Sequence, residues 1–395
     1  MADAPNDPVI VGAVRTAIGD AYRGALANVA VADLGRTVVT EVLDRSGVPT
    51  TEVDDLVLGE VLHGGGDIAR HVAVELGLTD VPGMAVQRQC ATGLSALTVV
   101  AAEISAGMNT VAVAGGIASM TQAPISFMKS PYPWMGMEQW LSPSHPDRPD
   151  APNMNMMVTV GENTARTYDV SREAMDDWAL GSHRKAISAI DEGRFDDEIV
   201  PVKVPGLDGV GLFEVDEHPR RNTSAEKLAG LRVLSGVADG TITAGNSSPI
   251  NDAAAALAVA RRDWAEANGS TVLGVVRSWA AVGVDPADTG SGPIVAIPKA
   301  LRRAGMTVAD VDLFEVNEAF ASMTVATVRE LELDPEAVNV NGGGVALGHP
   351  VACSGARIVV TLVHELRRRG GGVGVVALCA GGGMGMAAVI EVPAA

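Results

Sequence analysis

Val86-Gln87-Arg88-Gln89-Cys90-Ala91-Thr92-Gly93-Leu94-Ser95 is the stretch from which the rest of the chain can be read. A short apolar segment, Gly83-Met84-Ala85-Val86, precedes it, and a small-residue run from Leu94 to Ile104 follows, ending near Gly107. The pattern predicts a strand, a turn carrying Cys90, and a helix. A thiol at a helix N-terminus feels the positive end of the helix dipole and its free N–H groups, and both favour the thiolate. The competing reading is a small buried hydrophobe, the common state of a free cysteine. On this segment alone the two weigh equally.

Working outward, strand-like and helix-like segments alternate through the first 120 residues. Pro8 to Val14 reads as a buried strand. Leu34, Val38, Val39, Val42 and Leu43 have helical spacing. Asp55 to Leu62 is again strand-like, Ile68 to Leu76 a short helix, and Thr110 to Gly115 a strand. From about Thr121 to Thr243 the alternation breaks into a proline-punctuated, Met- and Trp-bearing excursion with a charged helix from Ser171 to Ile190. After Asn246 it resumes. The expected order is helix Asp252–Ala267, strand Thr271–Ala280, helix Ile294–Ala304, strand Val311–Val316 and helix Glu318–Leu331. Such alternation predicts a mostly parallel sheet with helices on both faces.

The closing segment mirrors the first. Gly348-His349-Pro350-Val351-Ala352-Cys353-Ser354-Gly355, a helix, and Val375-Val376-Ala377-Leu378-Cys379-Ala380-Gly381-Gly382 repeat the order seen around Cys90. In that register Ala352, not Cys353, falls opposite Cys90. Duplicated halves with divergent residues suggest two similar units facing one site. Gly383-Met384-Gly385-Met386 lies too near the end to open a dinucleotide-binding unit.

The 395 residues are enough for two core-forming units. No apolar run approaches the roughly 20 residues of a membrane span. Met1-Ala2-Asp3-Ala4-Pro5-Asn6-Asp7 has no basic region, so no signal peptide is expected there. Three cysteines without Cys-x-x-Cys spacing fit a reducing, cytoplasmic setting and no metal site. A net charge of −19 argues against nucleic acid and anionic membrane as partners, while leaving room for an anionic ligand on a local basic patch. Aromatics at 3% argue against base-stacking platforms.

Four blocks stand in order: the Cys90 run, Asn317-Glu318-Ala319-Phe320-Ala321, Asn339 to Arg357 with its Gly348-His349-Pro350 turn, and Leu378-Cys379-Ala380-Gly381-Gly382-Gly383. Together they resemble the signature of the thiolases over almost the whole chain. The resemblance implies an α/β fold with a five-layer αβαβα core of two duplicated halves, residues 1–120 and 246–395. Residues 121–245 would be an inserted loop domain that binds coenzyme A. It implies cleavage or formation of a carbon–carbon bond in a 3-ketoacyl-CoA through a Cys90 thioester.

On that resemblance His349 would be the base for Cys90, and Cys379 the group that moves a proton at the thioester α-carbon, with an ordinary thiol pKa of about 8.5 near enough to neutrality for both directions. The N–H groups of Gly381 and Cys90 would form one oxyanion hole, and Asn317, through a water, with His349 the other. Arg220 would meet the adenine–phosphate end of CoA, and Ala244 and Ser248 the pantetheine. Met157, Ala319 and Phe320 would line the thioester channel, and Cys353 would pack. Read without the resemblance, Asp216 to Arg221 is a solvated charged turn and Thr243 to Ser248 a helix N-cap.

CoA is then a substrate, with no bound cofactor, and a homodimer or homotetramer is implied. The chain departs from the family pattern at Gly64 to Arg70, at Met156 where the acetoacetyl-CoA-forming branch has histidine, at Gly115 to Met120, and at Pro249. These border the acyl pocket or assembly surface, so a 3-ketoacyl-CoA thiolase and an acetoacetyl-CoA-forming acetyltransferase both stay open. A ketosynthase-like condensing enzyme or a non-catalytic acyl-CoA-binding scaffold fits less well, because Cys90, His349, Asn317 and Cys379 are all present.

Overall fold

In the computed structural model, residues 3–63, 66–130, 132, 134, 136–153, 156–206, 209–234 and 239–394 are described, with backbone alone for 156, 157, 205, 206, 209 and 210. The main strands are β1 (Pro8–Thr16), β2 (Asp55–Gly59), β3 (Met84–Val86), β4 (Val111–Ser119), β5 (Asn251–Arg261), β6 (Gly274–Gly283), β7 (Leu313–Val316), β8 (Gly372–Ala380) and β9 (Met384–Val392). They form one path, β7-β8-β9-β6-β1-β5-β4-β2-β3. The order is two copies of one pattern, β2-β4-β5-β1 and β7-β8-β9-β6, back to back. They meet at β1 and β6, where Val9 pairs Val275 and Ile10 pairs Gly274. The duplication expected from sequence is therefore built into the strand order.

The sheet is mixed, not mostly parallel. β2 runs parallel to β4, and β7 to β8. β5 is antiparallel to both β4 and β1, and β9 to both β8 and β6. The difference comes from two segments. The expected helix Asp252–Ala267 is strand β5 followed by the short helix Arg262–Ala267. Its alanines have the highest helix propensity, but β5 is flanked on both edges and buried along nearly its whole length. Small side chains suit that seat, since even a Cβ on Gly115 would lie 2.4 Å from the Ala255 carbonyl oxygen. Tertiary pairing overrides propensity. The second segment, β9, lies where the sequence showed only a glycine-methionine run.

The helices complete the layers. α1 (Val31–Ser46) buries Leu34, Val38, Val39, Val42 and Leu43, the stripe read from sequence, against β1, β4 and β5. α5 (Gly292–Arg303) covers the opposite outer face, against β6, β8 and β9. Between the two halves lie α2 (Thr92–Ser105) and α7 (Ser354–Arg368), packed on each other and on strands of the sheet. This gives the five-layer αβαβα order.

The two central helices meet at their first turns. A Cβ on Gly93 would lie 2.7 Å from the Ala356 nitrogen, and a Cβ on Gly355 would lie 2.2 Å from the Leu94 nitrogen. The contact is reciprocal, as a pseudo-two-fold axis between the halves requires. It also confirms the register that sets Ala352 opposite Cys90.

The excursion returns to the sheet at Asn251 and lies over the second half. α3 (Met156–Thr167) packs on α6 (Ala321–Glu330), and α4 (Arg172–Asp191) packs on α6 and on the Gly344–Leu347 turn. Ser171 caps α4 by accepting the Ala174 N–H at 3.2 Å. Arg15 of β1, fully buried, clamps Asp216 through Nη1 and Nη2 at 2.8 and 2.9 Å and Glu198 through Nε at 2.6 Å. A buried guanidinium needs this full pairing. It fastens the excursion to the first strand. Asp216 is thus no part of a solvated turn.

Gly355→Ala will separate the central helices, because its methyl meets backbone that cannot rotate away. Overpacking of this kind costs about 1–3 kcal/mol or more. Gly181→Ala in α4, with open space around it, should be neutral or stabilising by up to about 1 kcal/mol. Thermal unfolding of the two variants checks the contrast, and equal melting temperatures would contradict the helix contact.

Candidate active site

Cys90 closes the turn between β3 and α2. Gln89 adopts a left-handed φ of 48°. Thr92 Oγ1 accepts the Arg88 N–H at 2.7 Å and donates to the Gln89 carbonyl at 2.5 Å, which locks the turn. The thiol is buried, 4% exposed. Burial pushes it up to about 11, while the N–H groups of Gly381 and of Cys90 itself pull it down. The expectation that the helix terminus favours a resting thiolate is therefore corrected: desolvation wins over the two backbone donors.

Gly381 reaches Cys90 because Cys379 ends β8 and a glycine turn follows. Gly382 and Gly383 have φ of 89° and 81°, and a Cβ on Gly383 would lie 2.4 Å from the Val284 oxygen. Cys379 sits in an apolar cluster with Ala319, Phe320 and Met323, its sulfur 3.3 Å from Met323 Sδ. Burial first, and Cys90 second, raise its thiol above the ordinary range. This corrects the expectation of an ordinary thiol pKa. It also puts the two sulfurs within electrostatic reach of each other.

His349 follows Gly348, whose φ of 118° and 2.7 Å approach to the Asn251 side chain leave no room for a Cβ. The His349 N–H donates to Asn251 Oδ1 at 3.0 Å. Its Nδ1 lies 2.6 Å from Ser354 Oγ, which gives its one proton to the Pro350 carbonyl at 2.9 Å. Nδ1 must then be the donor to Ser354, and Nε2 keeps its lone pair. Asn317 Nδ2 stands 3.5 Å from that Nε2. Burial, with the charge of Arg357, pushes His349 down to about 4, so near pH 7 the ring is a neutral base. Asn317 in turn donates its N–H to the Ala377 carbonyl at 2.9 Å. That tie fixes it beside the strand bearing Cys379.

Of the residues expected to meet CoA, Arg220 and Ala244 line one cavity of ≈ 620 Å³, with His183, His218, Lys227 and Gly245. The Arg220 N–H donates to His183 Nδ1 at 3.2 Å. Ser248 lies apart from that cavity lining and donates its N–H to the Ala319 carbonyl at 3.0 Å. Ala319 and Phe320 are buried, and the Phe320 ring lies against Gly161 of α3, where a Cβ would be 3.0 Å away. The Thr243–Ser248 run is not a helix cap, since it leads into β5. Asn246 Oδ1 instead accepts the Thr243 N–H at 2.8 Å. Met157 belongs to the backbone of α3, and its side chain lies outside the described residues, as do Gly64 and Gly65. Cys353 is wholly buried, its thiol pushed up to about 12 by burial.

Sequence reasoning missed Ser354 and Asn251, which set the His349 tautomer and backbone. Ser354 stands five positions after His349, a spacing that offered a signal; Asn251, remote in sequence, offered none. Among the described residues no helix is long and apolar enough to cross a membrane, and no group of three or more His, Cys, Asp or Glu could hold a metal ion.

Comparison with known proteins agrees with this geometry. The family model for the thiolase N-terminal domain matches residues 8–263, and that for the thiolase C-terminal domain matches residues 270–392. The chain is 41% identical to the 3-ketoacyl-CoA thiolase of Bacillus subtilis, covering 98% of this chain and 99% of that protein. It is 42% identical to the acetyl-CoA acetyltransferase of Escherichia coli, covering 97% and 98%. The solved structure of human mitochondrial 3-ketoacyl-CoA thiolase in complex with CoA is similar at a TM-score of 0.90 and 35% identity, with 99% of each chain covered. Strand order, duplicated halves, the cysteine and histidine turns and these matches agree: the chain belongs to the thiolase family.

Proposed function

We propose that Cys90 carries the acyl group in the thiolase reaction, 3-ketoacyl-CoA + CoA ⇌ acyl-CoA + acetyl-CoA. Acyl transfer between acyl-CoAs is the activity of this family, and the chain is an acyltransferase. The observation that supports the assignment is a pair of buried thiols coupled across the glycine turn, with a neutral imidazole on the facing half. Cys90 lies under the Gly381 N–H, Cys379 lies within its electrostatic reach, and His349 keeps Nε2 free.

In this reading Cys90 gives its proton to His349 Nε2 as its sulfur attacks the keto carbon. The carbon–carbon bond breaks, and its electron pair goes to the α-carbon of the departing acetyl-CoA, which takes the proton of Cys379. The incoming CoA thiol returns a proton to Cys379 and attacks the Cys90 thioester, and His349 returns its proton to the Cys90 sulfur. Each proton is accounted for. The raised Cys379 thiol suits the task, because a stronger conjugate base narrows the gap to a weakly acidic C–H in the condensing direction. The N–H groups of Gly381 and Cys90 serve one developing oxyanion, and Asn317 with His349 the other.

Residues 121–245 act as the CoA-binding loop domain between the halves at 1–120 and 246–395. Arg220, with Lys227 beside it, offers positive charge to the phosphates of an anionic ligand in a chain of net charge −19. Ala244 and Ser248 follow the pantetheine, and Met157, Ala319 and Phe320 the thioester. Met156 in place of histidine favours the 3-ketoacyl-CoA class, although relatives bear both names. The setting is cytoplasmic, in line with a rat relative named cytosolic, while one relative is named peroxisomal. A homodimer or homotetramer is supported by the apolar hairpin of Phe127–Lys129 and Met137–Gln139, where Trp134 is 80% exposed.

Two experiments test the roles. Mass spectrometry after incubation with acetyl-CoA will find one acetyl group on Cys90; finding it on Cys353 or Cys379 would overturn the roles. Cys379→Ala will lose thiolysis by roughly 10² to 10⁴, the range of a general acid–base group, yet keep Cys90 acetylation; equal loss of both would make Cys379 a packing residue.

The pH behaviour follows from the buried site. A thiol reacts as thiolate, so alkylation of Cys90 by iodoacetamide should keep rising with pH toward its raised value of about 11. The base must be neutral, so kcat/KM should hold as pH falls through 6 and decline toward the His349 value of about 4. A plateau in alkylation below about pH 8, under the ordinary thiol range, would contradict the burial argument. Light scattering on the eluted protein checks assembly, and a monomer would remove that part of the reading.

A further inference from the structure

We infer that Glu318 is the positioning residue that holds Asn317 and the His349 loop in place, an inference that rests on the active-site roles given above. Glu318 follows Asn317 in the loop between β7 and α6 and is wholly buried. Its carboxylate accepts four hydrogen bonds. Trp178 Nε1 and Asn339 Nδ2 donate to Oε1, each at 2.8 Å. Ser182 Oγ and the Val345 N–H donate to Oε2 at 2.8 and 3.0 Å.

These donors come from two segments far apart in sequence. Trp178 and Ser182 lie on α4 of the excursion, Asn339 follows β7 and its own helix, and Val345 lies in the short turn that leads to Gly348 and His349. Ser182 Oγ also accepts the Gly343 N–H at 3.0 Å. The glycines of this loop make the approach possible: a Cβ on Gly343 would lie 2.2 Å from the Glu318 carboxyl carbon, and one on Gly344 would lie 3.3 Å from Asn317 Oδ1.

Burying a carboxylate costs desolvation that well-packed apolar groups would avoid, so stability alone is a poor reason for it. What four charge-assisted bonds supply is fixed geometry. Here that geometry is imposed on the covalent neighbour of Asn317 and on the loop that ends at His349. The same carboxylate fixes both to the excursion.

Glu318→Gln keeps the shape but replaces one acceptor oxygen with an NH2 that faces donors. A shift of about 1 Å at a reacting group can cost 10²-fold. We therefore expect kcat for thiolysis to fall by about 10- to 100-fold with KM for the acyl-CoA altered less than about twofold, since the lost contacts orient reacting groups and do not bind substrate. Iodoacetamide labelling of Cys90 at fixed pH, which needs no substrate, should slow as His349 moves. Ser182→Ala, which removes two bonds of the node, should show a smaller change of the same kind, and carries the test if Glu318→Gln does not fold. Leu301→Ala in α5 serves as a destabilised control away from the site.

Should either node variant match the control in kcat and labelling rate, or raise KM with kcat unchanged, Glu318 is not a positioning residue and the inference falls. If the wild-type protein shows no thiolysis, the functional reading fails separately, and the labelling rates still decide whether Glu318 positions the Cys90 environment.

Discussion

Gly93 and Gly355 let the first turns of two helices touch backbone to backbone, and the site is arranged around that contact. Each helix starts where its half of the sheet delivers a functional turn. Cys90 stands two residues before α2, and His349 five residues before Ser354, where α7 begins. A methyl group at either glycine would force the helix starts apart, since the atoms it would meet are backbone nitrogens. The duplication therefore does more than repeat a fold. It brings two helix N-termini, one with a thiol and one with an imidazole, to the same seam.

Desolvation sets the electrostatics of that seam. Burial leaves Cys90 a thiol, His349 a neutral imidazole and Cys379 a thiol near pH 7. The three groups are mutually consistent: an isolated thiolate or imidazolium at this depth would lack a compensating charge. In the proposed reaction, charge develops only as bonds to substrate form, under the N–H groups of Gly381 and Cys90. The Ser354–Pro350 relay adds the one detail that a neutral histidine needs, a fixed tautomer with Nε2 free.

Much of this was legible in the sequence because it is local. The α1 stripe, the strand–turn–helix at Cys90, the Gly-His-Pro turn and the repeat at the C-terminus are patterns within a few residues. What was misread depended on distant partners. Ala253 to Ala256 reads as helix until β1 and β4 flank it. Asp216 reads as a solvated turn until Arg15, some two hundred positions earlier, reaches it. The thiol pKa values were misjudged for the same reason. A helix terminus is visible in sequence, whereas the depth at which it is buried is not.

Buried carboxylates mark the seams where the excursion meets the frame. Asp216 and Glu198 hold Arg15. Within the excursion itself, Glu162 of α3 accepts the N–H groups of Thr241 and Ile242 at 2.7 and 2.9 Å. Asp176 of α4 accepts from Asn246 at 3.0 Å, and Glu318 gathers Trp178, Ser182, Asn339 and Val345. A chain with 3% aromatics has few large rings to wedge irregular loops against a sheet. Acceptors with several lone pairs do that work instead, each fixing two or more backbone segments at once. The acidic composition that argued against nucleic acid thus has an interior use as well. It anchors the segment lining the Arg220 cavity to the same elements that carry Asn317 and His349.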